Sequence, residues 1–135
     1  MTEAQAGPRS SSREVLAVAL ERLSGRVEKS GARVVPGALP MVRTPAADLA
    51  NIFELLLSLL LRNARAVPEI WIAAAPRPRA WEFSMRDMAA GRLRLDEPSQ
   101  AELARCRKLV ELRDGRLWTD DGEELGTSIR FTVPG

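Results

Sequence analysis

Ile52-Phe53-Glu54-Leu55-Leu56-Leu57-Ser58-Leu59-Leu60-Leu61 is the longest apolar run of the chain, interrupted only by Glu54 and Ser58. It is too short for a bilayer span, which takes about 20 apolar residues. Its punctuation is that of a helix. Thr44-Pro45 offers an N-cap followed by proline at the first helical position, and Pro68 closes the segment, so a helix is expected to run from there to about Arg65. Leu49, Ile52, Phe53, Leu56 and Leu60 recur at spacings of three and four and form one face. Leu55, Leu57, Leu59 and Leu61 lie beyond that face, so the helix is apolar nearly all round. Such a helix is normally buried on more than one side.

Reading outward, Ile70 to Ala75 is expected to be a strand, Pro76-Arg77-Pro78-Arg79 a turn, and Trp81, Phe83 and Met85 the inward side of a second strand. Upstream, Ser11 and Glu14 have the spacing of a capping box. A helical stripe follows at Val15, Leu16, Ala19, Leu20, Leu23 and Val27, and Ser30-Gly31 stops it. Arg33-Val34-Val35 and Leu39-Pro40-Met41-Val42 are short strands on either side of Pro36-Gly37. Downstream, Met88 to Pro98 is a loop, about Ser99 to Arg113 a third long helix, and Asp114-Gly115 its end. Leu117-Trp118-Thr119 and Ser128 to Val133 form a terminal hairpin around Asp121-Gly122. The order α, β, β, α, β, β, α, β, β predicts an α+β fold: a two-layer sandwich of three helices on a mixed, mostly antiparallel sheet. Residues 1–10, polar with Gly7 and Pro8, are expected to be a disordered leader, and 11–135 the domain.

Composition excludes several chemistries. The 135 residues suffice for one domain with its own core, and the 45% apolar and 28% charged shares are those of a globular chain. Twenty basic residues are interspersed with eighteen acids for a net charge of +2, so no nucleic-acid stripe is expected. No histidine is present, which removes imidazole ligands, imidazole bases and a phospho-accepting histidine. One cysteine, Cys106, allows no internal disulfide and no zinc site, and points to a reducing cytoplasm. It reads as a half-buried helix residue. No membrane segment is expected.

Glu111 to Asp120 (Glu-Leu-Arg-Asp-Gly-Arg-Leu-Trp-Thr-Asp), followed by Gly126-Thr-Ser-Ile-Arg-Phe-Thr-Val-Pro134, resembles the C-terminal end of sensor histidine kinase ATP-binding domains. Trp81-Glu-Phe-Ser-Met-Arg-Asp87 is similar to the strand entering that family's adenine-contacting turn. Asp48 to Asn63 resembles its long helix, and Ser30-Gly-Ala-Arg-Val-Val its first strand. The likeness spans residues 13 to 134 and implies the Bergerat fold of the GHKL ATPase superfamily, the same sandwich that the periodicity gives.

The resemblance also assigns positions to the family's chemistry. Its long helix carries an asparagine whose amide oxygen ligates Mg²⁺, a cation that takes oxygen ligands, with a second polar residue one turn earlier. Matching Ile52-Phe53 to the family's apolar pair puts Leu55 and Leu59 there, neither with an oxygen to offer. Asn63-Ala64 is the alternative match, one turn later on the same face, but it leaves only seven positions to Ile70 in the next strand. Asp87 matches the carboxylate that accepts the adenine amine; as a plain residue it reads equally well as a loop cap. Ala89 replaces the first glycine of the D-x-G-x-G turn and Gly91 keeps the second. The phosphate-binding turn at the start of the last helix falls on Pro98-Ser-Gln-Ala-Glu-Leu-Ala104, which contains no glycine, while Asp96, Glu97 and Glu102 put carboxylates where phosphates would lie.

These departures imply a degenerate histidine kinase-type ATPase domain that does not hydrolyse ATP, is not an enzyme, needs no cofactor and holds no metal. Asp87, Gly91 and Asn63 would be vestiges of the nucleotide site. The expected role is a protein-interaction module in two-component-type signalling, with a response regulator, a kinase or a second copy as partner. The alternative is an ATP-binding domain acting in trans, retaining Asp87 for adenine and Asn63 for Mg²⁺. For the leucine-rich helix two readings stand: a collapsed pocket filled by leucines, or an apolar partner surface rimmed by Arg62, Arg65, Arg92 and Arg94.

Overall fold

The structure, a computed structural model, describes residues 9–123 and 126–135. A two-residue strand β1 (Ser10–Ser11) leads into helices α1 (Ser12–Arg22) and α2 (Ser24–Ser30), then strands β2 (Arg33–Pro36) and β3 (Met41–Val42). The long helix α3 (Ala46–Arg62) is followed by β4 (Glu69–Arg77) and β5 (Ala80–Asp87). Helix α4 (Glu97–Leu112) precedes β6 (Leu117–Glu123) and β7 (Gly126–Pro134). The main sheet has the order β2-β4-β5-β7-β6, with β2 parallel to β4 and every other pair antiparallel. It is the expected two-layer α+β sandwich.

Several expectations need correction. The single N-terminal helix is two: the chain breaks at Leu23, just ahead of Ser24-Gly25, where helix propensity is low. Met41–Val42 does not join the main sheet but pairs antiparallel with Ser10–Ser11, so Ser10 belongs to the fold rather than to a leader. The remainder of that leader, residues 1–8, lies outside the described residues. Thr44 makes no cap bond; the helix begins at Ala46, and the Thr44 hydroxyl is buried with no hydrogen-bond partner among the described residues. Asp121 and Gly122 are not the hairpin turn but part of β6, whose pairing shifts between Asp120 and Glu123 before Glu123 meets Gly126. The last helix starts two residues early, at Glu97.

Other local signals act as the sequence implies. Ser11 caps α1, its hydroxyl accepting from the Glu14 amide at 3.2 Å. Gly31 ends α2 in the left-handed conformation, φ 70°. Gly115 permits close passage of the chain: a Cβ there would stand 2.1 Å from the Thr132 carbonyl oxygen.

The core forms between α3 and the sheet. Phe53 meets Phe83 and Phe131 edge-on, with centroids 5.8 and 6.0 Å apart, and the latter two rings stack at 5.1 Å. Such pairs add about 0.5–1.5 kcal/mol each beyond their burial. Ile70, Ile72, Met85, Ile129 and Val133 complete the inward face of the sheet. Among the described residues no helix is long and apolar enough to cross a membrane.

Candidate functional site

The residues that the resemblance singles out converge where the end of β5, the C-terminal turn of α3 and the first turn of α4 meet. Asp87, the last residue of β5, is buried, and its Oδ1 accepts from the backbone amides of Glu69 and Ala89, each at 3.0 Å. The carboxylate thus closes the turn that leaves β5 and fastens it to the start of β4, the work of a loop cap. Ala89 is exposed and keeps a negative φ, so its methyl group strains nothing. Gly91, with φ 22°, lies under Gly126, where a Cβ would come within 2.5 Å of the Gly91 carbonyl oxygen.

The segment 88–96 is short and tied down. The Leu93 amide donates to Thr127 Oγ1 at 3.0 Å, and the Thr127 hydroxyl in turn donates to the Asp121 carboxylate. Leu93 and Leu95 pack partly buried against the core. The segment ends at Asp96, which caps α4 by accepting from the Ser99 amide at 2.8 Å. Hydrogen bonds from the Ser99 side chain and backbone, aided by Arg62, hold the Asp96 carboxyl below the usual carboxylate range.

Ser99 is fully buried and is the hub of the seam. Its Oγ receives the Arg62 guanidinium through Nε (3.1 Å) and Nη2 (2.9 Å), and the Asn63 amide nitrogen at 2.9 Å. Arg62 is also ion-paired with Glu102. The Asn63 nitrogen gives a second bond to the Leu59 carbonyl at 2.8 Å, and its Oδ1 accepts from the Asp96 amide at 3.3 Å. Both ends of the amide are therefore engaged, and Asn63 is the residue that joins two helix termini rather than a loose surface group. Leu59, one turn earlier, is wholly buried in the core, whereas Leu55 is only partly buried.

Of the residues expected to rim a partner surface, Arg62 reaches across onto α4. The part played by Ser99 went unread in the sequence, although its spacing from Asp96 is that of an N-cap pair. Cys106 is buried on α4, and desolvation pushes its thiol up to about 12, as befits an inert helix residue. Among the described residues no group of three or more Cys, Asp or Glu side chains is placed to hold a metal ion.

This fold has counterparts among solved structures. The mycobacterial sensor histidine kinase MprB superposes with a TM-score of 0.76 at 18% identity, over 96% of this chain and 97% of that one. The fold is that of histidine kinase ATP-binding domains. In sequence, the phytochrome-like protein Cph1 of Synechocystis is 27% identical over 139 residues, covering 90% of this chain and 19% of that protein. The methanogenesis regulatory histidine kinase FilI of Methanothrix harundinacea is 27% identical over 142 residues, covering 90% of this chain and 16% of that protein. The chain thus spans less than a fifth of the length of these relatives. No protein-family model matches it.

Proposed function

We propose that this kinase-type domain has given up nucleotide chemistry and works as a protein-interaction and regulatory module in two-component-type signalling, in the cytoplasm. The observation that carries the reading is the self-occupied seam. Arg62, Asn63 and Asp96 of the chain itself saturate Ser99 and the first turn of α4. In the family that turn is where backbone amides would face phosphate.

The residues do not fit a magnesium–triphosphate ion. Leu59 and Leu55 offer no oxygen to a hard cation. The Asn63 oxygen is already turned onto the Asp96 amide. Asp96 and Glu97 add negative charge at the helix start, where a phosphate would be repelled. Asp87 is left with a structural task that accounts for its presence without adenine. The buried free thiol of Cys106 is compatible with a reducing compartment. The relatives include histidine kinases, so the partner class fits a receiver domain, a kinase or a second copy of this chain.

Isothermal titration with ATP or ADP plus Mg²⁺ tests the reading. The expected outcome is no heat of binding at nucleotide concentrations up to the low millimolar range. Saturable heat that disappears in Asp87→Ala would establish the opposite reading, an ATP-binding domain acting in trans.

A further inference from the structure

Turned away from the sheet, α3 presents Asn51, Leu55, Ser58 and Arg62 along a line at helical spacing. Helix α2 and the second half of α4 rise on either side, so this surface is concave. A cleft of 390 Å³ has Leu23, Leu55 and Leu109 as its apolar floor, with Arg26 on one wall and Arg105 on the other. A second hollow of 280 Å³ shares Arg26 and continues toward the C-terminal end of α3 past Lys29 and Leu61. The two hollows adjoin at Arg26 and together line a trough along the outer side of α3.

The trough is electrostatically one-sided. Arg26 leans over the floor and donates to Ser58 Oγ at 2.5 Å. Lys29 and Arg105 have no hydrogen-bond or ion-pair partner among the described residues. Among the described residues Glu54 is the only carboxylate lining it, and that charge is paired with Arg22 at 3.4 Å. Yet the chain as a whole carries almost as many acids as bases. Unpaired cations above an apolar floor complement a ligand that is apolar on one face and acidic at its margins.

We propose that this trough docks an acidic amphipathic helix of a protein partner. The partner's apolar face would lie on Leu23, Leu55 and Leu109, with its carboxylates against Arg26, Lys29 and Arg105. An elongated groove with a leucine floor matches the helix-in-groove mode, in which anchors recur at i, i+3 or i+4, and i+7. A membrane surface is flat and cannot reach the floor of a concavity, so the helix is favoured over anionic lipid. The proposal rests on the interaction-module reading and gives it a surface and a partner chemistry.

The test uses the whole chain, isotope-labelled for NMR, and a synthetic helical peptide of about 18 residues, roughly 27 Å long. The peptide carries leucines at the anchor positions and glutamates beside them. Expected are shifts confined to α2, the outer face of α3 and the second half of α4. Affinity should fall about tenfold or more in an Arg26→Glu/Arg105→Glu double variant, whose unchanged melting temperature shows that the fold is intact. A charge-reversed peptide with lysines for glutamates should not bind. No peptide binding, equal binding of the charge-reversed peptide, an unaffected double variant, or binding only to phosphatidylserine vesicles would each overturn the proposal. A parallel titration with MgATP separates the two ideas. Nucleotide shifts at Asp87 and Asn63 with the peptide still bound defeat the proposed function and leave the trough standing. A domain that ignores both ligands loses only the trough.

Discussion

The middle of α3 meets the sheet through apolar side chains, whereas its C-terminal turn meets α4 through hydrogen bonds and charge. At Phe53 the contacts are ring against ring with Phe83 and Phe131. At Arg62 and Asn63 the side chains are held by Ser99, Asp96, Glu102 and a backbone carbonyl. The first region is what any domain of this architecture needs in order to fold. The second is a polar seam in which the chain's own side chains tie the end of α3 to the start of α4. Apolar packing tolerates little change in volume, while a polar seam depends on complete pairing, so the two regions should fail in different ways.

The largest effect is expected from Phe53→Ala, which removes the ring common to both edge-on contacts. Chemical denaturation should show a loss of about 3–5 kcal/mol. A loss below 1 kcal/mol would mean that the centre repacks freely and that the contrast is misplaced. Asn63→Ala should cost less, about 1–2 kcal/mol, because it deletes hydrogen bonds in a half-buried seam rather than filling atoms. Hydrogen exchange should then quicken at the first turn of α4 and at Leu59 while the sheet stays protected. If protection falls uniformly, the seam is not a separate unit.

The smallest effect concerns pH and Asp96. Its carboxyl is held below the ordinary range in the folded chain, so its contribution is present above the unfolded carboxylate value and is lost as pH falls through the folded one. Asp96→Asn should therefore lower stability slightly at neutral pH and flatten the acid limb, its curve converging with that of the parent chain below the folded carboxyl's value. An acid limb identical to that of the parent chain would show that Ser99 and Arg62 do not act on this group.

Much of the sandwich was legible because its elements carry strong periodicity. The alternation of Trp81, Phe83 and Met85 and the three-four spacing from Leu49 to Leu60 each specify an element and its inner face. The break at Leu23 was not legible, since the apolar stripe runs on through it to Val27. Nor was the fate of Met41–Val42, because a two-residue strand has too little pattern to name its partner. The turn at Asp121-Gly122 was misplaced because a shift of pairing inside a hairpin leaves no trace in composition.

At the candidate site the sequence told which residue types stand at each position: leucines at 55 and 59, an alanine at 89, no glycine from 98 to 104, no histidine anywhere. Those residue types underlie the proposed loss of nucleotide chemistry, since a hydrocarbon side chain cannot donate an oxygen to a metal. The pairing of the polar groups was decided only in three dimensions. Arg62 and Asn63 are remote in sequence from Asp96 and Ser99, and the hydrogen bonds among them exist because α3 and α4 pack side by side. The same packing divided the leucines, burying Leu59 completely and leaving Leu55 at the floor of an open trough. Local pattern fixes which face of a helix is apolar; which neighbour covers that face, and where the cover stops, depends on contacts between distant segments that no local pattern encodes.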